Sequence, residues 1–205
     1  MVNIFFDLDG TLINSQQRLY NLFVELCPEC KMTYEEYWEI KRQRINQKDF
    51  LKKYFNYSDE KCKEFHKLWL EKVEESERLD EDFLVDGVED ILNKLSQKYR
   101  LYLVTNRQSK SLLIYELERL KIKNYFCDIL VTEQKRAKSK LIQGVVNCSP
   151  DDILIGDTGE DIKTAKELGI KSIAVSWGIL DEKVLMEYLP DRIIGNANEI
   201  EHYFI

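Results

Sequence analysis

The chain has few of the residues on which secreted and disordered proteins depend. Its 205 residues include five cysteines, three prolines and eight glycines, with no internal repeat and no low-complexity segment. An odd number of cysteines without a secretory signal indicates reduced thiols rather than a disulfide framework. Residues 1–7 lack the basic region of a signal peptide, so we expect a cytoplasmic protein.

Long hydrophobic runs and excess positive charge are also missing. No stretch approaches the roughly 18 apolar residues of a membrane span, so no membrane partner is expected. Acidic residues outnumber basic ones by 37 to 30, for a net charge of −7, which argues against general nucleic-acid binding. The 44% apolar fraction excludes intrinsic disorder, and the length suits one α/β domain with an insertion or two small domains.

Short apolar runs alternate with helical patterns over most of the chain. The predicted strands are residues 2–6, 101–104, 128–131, 153–155, 172–175 and 192–194. The predicted helices are residues 88–98, 109–121, 138–147, 160–168, 181–188 and 196–204. Near-continuous apolar strands suit a sheet that is buried on both faces. We therefore predict an α/β fold, a Rossmann-like parallel sheet flanked by helices, with binding at the carboxyl ends of the strands.

Residues 14–82 interrupt this alternation. They contain no convincing strand, and apolar residues recur there at helical spacing, as in Phe65, Trp69 and Val73. We predict three or four helices that form a small bundle, inserted into a core of residues 1–13 and 83–205. The insertion also carries a basic stretch, which either forms solvated helix faces or covers an anionic substrate. Its members are Lys41, Arg42, Arg44, Lys48, Lys52 and Lys53.

Two carboxylates, Asp7 and Asp9, follow the first predicted strand. A buried strand that ends on a carboxylate is costly unless a cation or a reaction requires it. Gly10 permits a sharp turn and Thr11 can stabilise it, which is ordinary turn chemistry. That chemistry does not explain Asp7.

Polar residues follow two further strands. Thr105, Asn106 and Arg107 come after strand 101–104, just before a helix that begins near Ser109. Asp157 ends strand 153–155, and Asp161 follows in the first turn of the next helix. The spacing of these two aspartates lets both carboxylates face a cation beside Asp7, and Mg²⁺ prefers such oxygen ligands.

These motifs resemble those of the haloacid dehalogenase superfamily, in the family's order and over essentially the whole chain. Its phosphatases carry Asp-x-Asp-Gly-Thr/Ser after the first strand, as in residues 7–11, and a Gly-Asp-(three residues)-Asp signature, as in residues 156–161. Trp177-Gly178 and the later segment 190–194 are similar to the phosphoglycolate-phosphatase-like branch. The family places an α-helical cap after the first motif, where residues 14–82 lie.

The resemblance implies a role for each motif residue. Asp7 is the expected nucleophile and Asp9 the expected general acid/base. The Thr105 hydroxyl, the Asn106 backbone N–H and the positive N-terminal end of the helix near Ser109 are expected to hold the phosphoryl group. The expected phosphate-neutralising lysine is Lys138, with Lys140 and then Lys135 as alternatives. Arg107 is an optional substrate contact and otherwise a surface residue.

The resemblance also implies Mg²⁺ as the cofactor. Asp7, the backbone carbonyl of Asp9, and Asp157 are the expected ligands. Asp161 would bind the ion through water or orient the other groups. A separate hypothesis places zinc in the cap, because one Cys-x-x-Cys and one Cys-x-x-x-His pattern could combine there. The residues in question are Cys27, Cys30, Cys62 and His66.

The expected activity is that of a Mg²⁺-dependent phosphatase that hydrolyses a small phosphorylated metabolite, as a monomer or homodimer. Dehalogenases of the superfamily lack the acid two residues after the nucleophile, so Asp9 favours phosphoryl transfer. A phosphomutase of the β-phosphoglucomutase type stays open as an alternative. So does a non-catalytic binding module that kept the fold.

Overall fold

A computed structural model describes residues 1–203 of the chain. It contains eight strands: β1 (Asn3–Phe6), β2 (Ile13–Asn14), β3 (Phe83–Leu84), β4 (Arg100–Thr105), β5 (Asp128–Val131), β6 (Ile153–Gly156), β7 (Lys171–Val175) and β8 (Arg192–Ile194). Six of them form one parallel sheet in the order β5-β4-β1-β6-β7-β8. The predicted α/β fold with a parallel sheet is confirmed.

Within residues 1–203, five α-helices precede β3 and six follow it. The first group is α1 (Gln16–Leu26), α2 (Tyr34–Lys41), α3 (Gln47–Phe55), α4 (Asp59–Lys72) and α5 (Ser76–Leu79). The second group is α6 (Val88–Ser96), α7 (Lys110–Arg119), α8 (Lys138–Val145), α9 (Gly159–Leu168), α10 (Glu182–Met186) and α11 (Asn198–His202). None of these helices, within the described part of the chain, has the length and apolar character that crossing a bilayer requires.

The second group of helices flanks the sheet. In α6, for example, Val88, Ile91, Leu92 and Leu95 are all buried, at the i, i+3, i+4, i+7 spacing that places them on one face. They pack with Ile4 and other strand residues in one apolar cluster. Most of these helices are a few residues shorter than predicted. The predicted last helix, 196–204, runs past residue 203 and so lies partly outside the described residues, as does the end of the predicted core.

Helices α1 to α4 form a bundle with an apolar core of its own. Phe23 lies at its centre, with ring centroids at 4.9 Å from Tyr37, 5.3 Å from Phe50 and 5.6 Å from Phe65. Four helices, α1 to α4, contribute to this core, as the sequence predicted, and the single turn α5 contributes no described residue to it.

A short antiparallel ribbon joins the bundle to the sheet. Ile13 pairs with Leu84 and Asn14 with Phe83. The segment that leads into the bundle and the segment that leads back to the sheet therefore run side by side. The sequence did not predict this ribbon, since two-residue strands are too short to show alternation.

The order of the strands identifies the edge of the sheet at which open α/β proteins usually bind ligands. From β1 the chain builds β4 and β5 on one side, then β6, β7 and β8 on the other. The carboxyl ends of β1, β4 and β6 therefore lie side by side where the strand order reverses, the usual binding position in open α/β sheets.

Candidate active site

Three polar residues lie at this reversal point, at the ends of neighbouring strands. Asp7 follows β1, Thr105 ends β4 and Asp157 follows β6. All three are buried, and the Asp7 N–H donates to the carbonyl of Ile155 at 2.9 Å, which continues the β1–β6 ladder by one residue. The structure thus brings together three of the residues that the sequence predicted for the site.

Asp7, Asp157 and Asp161 form a compact acidic group. One carboxylate oxygen from each lies within 4.8 Å of the others. The backbone packs closely around Asp157, because a Cβ on Gly10 would fall 2.1 Å from its Oδ2 atom. Gly10 also has a φ of +79°, so both space and backbone conformation require glycine at this turn.

Lys138 is the cation within this acidic group. It begins α8, is 3% exposed, and places Nζ at 2.6 Å from both Asp7 Oδ1 and Asp161 Oδ1. Burial alone would lower its pKa, but the carboxylates of Asp161 and then Asp7 outweigh that effect and raise it. The two alternative lysines, Lys140 and Lys135, lie exposed and contact other side chains.

One ammonium group does not balance three buried carboxyls. Burial raises the pKa of Asp7 to about 7, although the charge of Lys138 opposes the shift. Burial and then the charges of Asp7 and Asp161 raise the pKa of Asp157 well above its usual range. Clustered oxygen donors with unmatched negative charge are the donor set that Mg²⁺ takes, so the residues fit that ion.

Asp161 has both carboxylate oxygens engaged within the protein. Oδ2 accepts from the backbone N–H of Thr158 at 3.1 Å and from its hydroxyl at 2.6 Å. Oδ1 accepts from Lys138. The carboxylate therefore ties the start of α9 to the lysine.

Thr105 and Asn106 are placed differently from each other. Thr105 is 1% exposed, and its hydroxyl accepts from the Arg107 N–H at 3.4 Å. The exposed Asn106 side chain bridges two partners, since Nδ2 donates to Glu160 at 2.8 Å and Oδ1 accepts from Thr132 at 3.1 Å.

Asp9 is held by two arginines. Arg107 donates from Nε to Oδ2 at 2.6 Å and from Nη2 to Oδ1 at 2.9 Å. Arg18, from α1, donates from Nη2 to Oδ1 at 2.8 Å. Burial alone would raise the pKa of Asp9, but the charges of Arg107 and then Arg18 outweigh it and lower the pKa to about 2.

The expectation that Arg107 is a surface residue is wrong. Only 5% of it is exposed, and its Nη2 atom also lies 3.3 Å from Asp82 and 3.2 Å from Glu116. Asp82 in turn accepts from Arg18 Nε at 2.9 Å. We call Asp9, Arg18, Asp82, Arg107 and Glu116 the arginine cluster. The sequence predicted no role for Arg18, Asp82 or Glu116.

The N-terminal end of α7 is occupied by a carboxylate from the helical bundle. Glu74 accepts from the backbone N–H groups of Gln108 at 2.7 Å and Ser109 at 2.9 Å. The Gln108 side chain donates back to the Leu70 carbonyl at 2.9 Å. The expectation that this helix end faces the phosphoryl group is therefore wrong for these two amides.

A cavity of about 190 Å³ lies between the bundle and the sheet, beside Asp9. Its walls come from both the bundle and the sheet region: Asp9, Arg18, Leu19, Trp69, Val73, Glu74, Asn106, Arg107 and Gln134.

Trp177 connects the loop after β7 to the turn after β1. Its indole N–H donates to the carbonyl of Thr11 at 3.1 Å.

The residues of the basic stretch have partners within the protein, and the interpretation that the stretch covers an anionic substrate stays a prediction. Arg42 donates to the Ser176 carbonyl at 2.8 Å, and Arg44 pairs with Glu187 at 3.1 Å. The four lysines lie against partners within the bundle. These contacts are Lys41 to Ile45 and Gln47, Lys48 and Lys52 to Asp59, and Lys53 to Tyr54.

The proposed zinc ligands do not assemble. Among residues 1–203, the acidic group described above is the one set of three or more potential ligands within reach of a common ion. Cys27, Cys30 and Cys62 are buried in the bundle core as free thiols, whereas His66 is exposed.

Known proteins with a related sequence or fold are as follows. The family model described as haloacid dehalogenase-like hydrolase matches residues 4–175. Pyrophosphatase PpaX from Bacillus mycoides is 24% identical over 216 residues, which cover 96% of this chain and 94% of that protein. A phosphoglycolate phosphatase from Synechococcus elongatus is 22% identical over 57% of each chain. A hydrolase of the haloacid dehalogenase-like family from Streptococcus pneumoniae superimposes with a TM-score of 0.84 at 25% identity, covering 100% of this chain and 99% of that one.

Proposed function

The chain belongs to the haloacid dehalogenase-like hydrolase family, and on this premise we propose that it is a Mg²⁺-dependent phosphatase acting through an aspartyl-phosphate on Asp7. The substrate is a small phosphorylated metabolite. The observation that carries the proposal is the buried contact of Asp7 with Lys138 at 2.6 Å, inside an acidic group that fits a divalent cation. The names of the relatives, a pyrophosphatase and a phosphoglycolate phosphatase, support this reaction class.

The acidic group would hold Mg²⁺. Asp7, Asp157 and the backbone carbonyl of Asp9 would be its ligands, and Asp161 would bind it through water or orient Lys138. When bound, the ion supplies positive charge that offsets the carboxylates and the phosphoryl oxygens.

In the first step Asp7 attacks phosphorus, and the bond from phosphorus to the leaving oxygen breaks. Asp9, once it has released an arginine contact and taken up a proton, gives that proton to the leaving oxygen. The Thr105 hydroxyl, the Asn106 backbone N–H and the Lys138 ammonium hold the remaining phosphoryl oxygens, on which negative charge is spread during the transfer.

In the second step water attacks the phosphorus of the aspartyl-phosphate. Asp9 takes the proton from that water, inorganic phosphate leaves, and the Asp7 carboxylate is restored. Both oxygens of Asp9 are bonded to Arg18 or Arg107 in this structure, so Asp9 gives up one of these contacts when it acts on a substrate.

We propose residues 14–82 as a cap over a core of residues 1–13 and 83–205. Support comes from the separate apolar core of the bundle and from the β2–β3 ribbon, through which both connections pass. The contacts of Glu74 and Arg18 close the cap onto the core. A closed cap excludes bulk water from the reacting groups and selects the substrate.

The test of the proposal is hydrolysis of p-nitrophenyl phosphate in the presence of Mg²⁺. Wild-type protein is expected to release p-nitrophenol, and removal of the metal by chelation to stop the reaction. Asp7→Asn is expected to abolish turnover while the circular dichroism spectrum stays unchanged. Retained turnover in Asp7→Asn would contradict the nucleophile assignment. A panel of phosphorylated metabolites, compared by kcat/KM, then identifies the substrate.

A further inference from the structure

The cavity beside Asp9 has room for the leaving group of the substrate. This inference rests on the proposed function, in which Asp9 protonates the leaving oxygen, and Asp9 is part of the cavity wall. The bundle contributes the apolar residues Leu19, Trp69 and Val73 to the same wall. The cavity volume of about 190 Å³ is below the ~300–1,000 Å³ of pockets that bind drug-sized ligands, so a leaving group that fits is compact.

The two guanidinium groups in the wall are already paired with carboxylates of the protein. Arg18 donates from Nη2 to Asp9, and from Nε to both oxygens of Asp82 at 2.9 Å. Arg107 donates to Asp9 from Nε and Nη2, and its Nη2 atom also lies 3.2 Å from Glu116. The positive charge of each arginine is therefore offset before any substrate enters.

Glu74 adds a carboxylate to the wall that no basic side chain balances. It is 7% exposed, and its two oxygens accept from the backbone N–H groups of Gln108 and Ser109. Within residues 1–203, no Lys, Arg or His nitrogen lies within 4.0 Å of these oxygens. The positive end of α7 carries only about half an elementary charge, so it offsets the carboxylate in part.

Negative charge is consequently in excess around the cavity. Burial raises the pKa of Glu116 to about 8, so this carboxyl is mostly protonated near neutral pH. Two guanidinium groups then face the three carboxylates of Asp9, Asp82 and Glu74, and an ionised Glu116 would add to the excess. Because the walls are largely buried, a second anion placed among these groups is repelled more strongly than it would be in water.

We propose that the cavity selects a compact, uncharged leaving group, and that Glu74 is the specificity-determining residue that excludes anionic ones. The preferred substrates are accordingly phosphate monoesters of small neutral alcohols. Phosphoglycolate and pyrophosphate, the compounds in the names of the relatives, are expected to be poor substrates because their leaving groups are anions.

The test compares two substrates of similar size that differ in charge. Ethyl phosphate carries a methyl group where phosphoglycolate carries a carboxylate. Wild-type kcat/KM should favour ethyl phosphate by about tenfold or more, because repulsion between like charges in a partly buried site has at least that effect. Pyrophosphate, whose leaving group is phosphate, should be disfavoured in the same way. Comparing the ratio between variants cancels the difference in intrinsic reactivity of the two esters.

Two substitutions separate the charge of Glu74 from its contact with α7. Glu74→Gln removes the charge and keeps an oxygen that can accept an N–H, so it should lower the ratio by about fivefold or more, through a higher kcat/KM for phosphoglycolate. Glu74→Asp keeps the charge and shortens the reach to Gln108 and Ser109, so it should keep the wild-type ratio. The matched control Glu75→Gln should also keep it, because Glu75 is exposed and pairs with Arg78. If Glu74 only held the cap, Glu74→Gln would affect both substrates equally.

The outcomes separate this inference from the function on which it rests. A wild-type kcat/KM for phosphoglycolate or pyrophosphate that equals or exceeds that for ethyl phosphate, with p-nitrophenyl phosphate hydrolysed, would overturn the inference and leave the phosphatase proposal standing. An unchanged ratio in Glu74→Gln would overturn the role of Glu74. No hydrolysis of any of these compounds would overturn the phosphatase proposal and this inference with it. Circular dichroism checks that each variant is folded, and the wild-type ratio decides the substrate class even where a variant is not.

Discussion

Arg107 contacts both carboxylate oxygens of Asp9, with Nε at 2.6 Å from Oδ2 and Nη2 at 2.9 Å from Oδ1. Arg18 adds a third contact to the same carboxylate from the first helix of the proposed cap. The proposed acid/base is thus held by one arginine from the core and one from the cap. The packing of the proposed cap against the core and the orientation of Asp9 are therefore linked by direct contacts.

Removing Lys138 should destabilise the metal-free protein. Its ammonium bridges Asp7 and Asp161, so Lys138→Met leaves a buried acidic group without a protein cation. The expected loss is about 3–5 kcal/mol of unfolding free energy, partly recovered when Mg²⁺ is added, and activity should fall sharply. Urea unfolding with and without Mg²⁺ measures this. The control is Lys140→Met, because Lys140 lies two residues further along the same helix and is exposed. This variant should change neither the unfolding free energy nor the activity. Equal losses in both variants would contradict the assignment of Lys138 as the cation of the acidic group.

Removing the charge of Asp157 should have the opposite effect on stability. Asp157→Asn relieves repulsion within the acidic group while an amide oxygen can still accept from the Ile179 N–H. We expect the metal-free variant to melt a few °C higher than wild type, since about 1 kcal/mol corresponds to ~2–4 °C at this chain length. It should also lose the Mg²⁺-induced rise in Tm. A thermal melt at increasing Mg²⁺ tests both points, and an undiminished Mg²⁺ response would remove Asp157 from the ligand set.

Glu116 should make stability fall as pH rises. Burial raises its pKa from an ordinary value of 4.5 to about 8, so between these values the folded state holds a proton that the unfolded chain has released. Stability is then lost with increasing pH across that window, by at most about 1.4 kcal/mol per pH unit. Glu116→Gln carries no titrating proton and should show a flatter profile between pH 6 and pH 8. Identical slopes for the two proteins in urea unfolding would argue against a protonated Glu116.

Glu74 should protect the backbone amides of Gln108 and Ser109, at the start of α7, from hydrogen exchange. Glu74→Ala removes the acceptor of both the Gln108 and Ser109 N–H groups, each a charge-assisted bond worth about 1.5–3 kcal/mol. Hydrogen exchange at residues 108 and 109 should accelerate by tenfold or more. The neighbouring Glu75→Ala serves as control, because Glu75 is exposed and pairs with Arg78 instead. Unchanged exchange in Glu74→Ala would show that the cap is not held at this point.

The sequence predicted the sheet and the residues at its reversal point for a physical reason. Buried parallel strands are readable as apolar runs, and polar residues that end such runs must converge at the carboxyl edge. Asp7, Thr105 and Asp157 follow this rule. Lys138 lies in the same neighbourhood, where three lysines compete, and only the folded chain separates the buried one from the exposed two.

The arginine cluster could not be predicted in the same way. Asp9 and Arg107 are 98 residues apart in the chain, and Arg18 and Asp82 are 64 apart, so no local pattern records either pair. A single charged residue on a helix or loop is most often solvated, which made a surface position the natural expectation for Arg107. The two-residue ribbon and the contact of Glu74 with Gln108 and Ser109 also depend on how the bundle packs against the sheet domain, and no local sequence pattern records that.

Trapping of the covalent intermediate tests the central claim most directly. The protein is mixed with substrate and Mg²⁺, quenched in acid and treated with borohydride, which reduces an aspartyl-phosphate to homoserine. Peptide mass spectrometry should then find homoserine at Asp7 and no conversion at Asp9, Asp157 or Asp161. Substrate turnover without conversion at Asp7, or with conversion at another aspartate, would contradict the account.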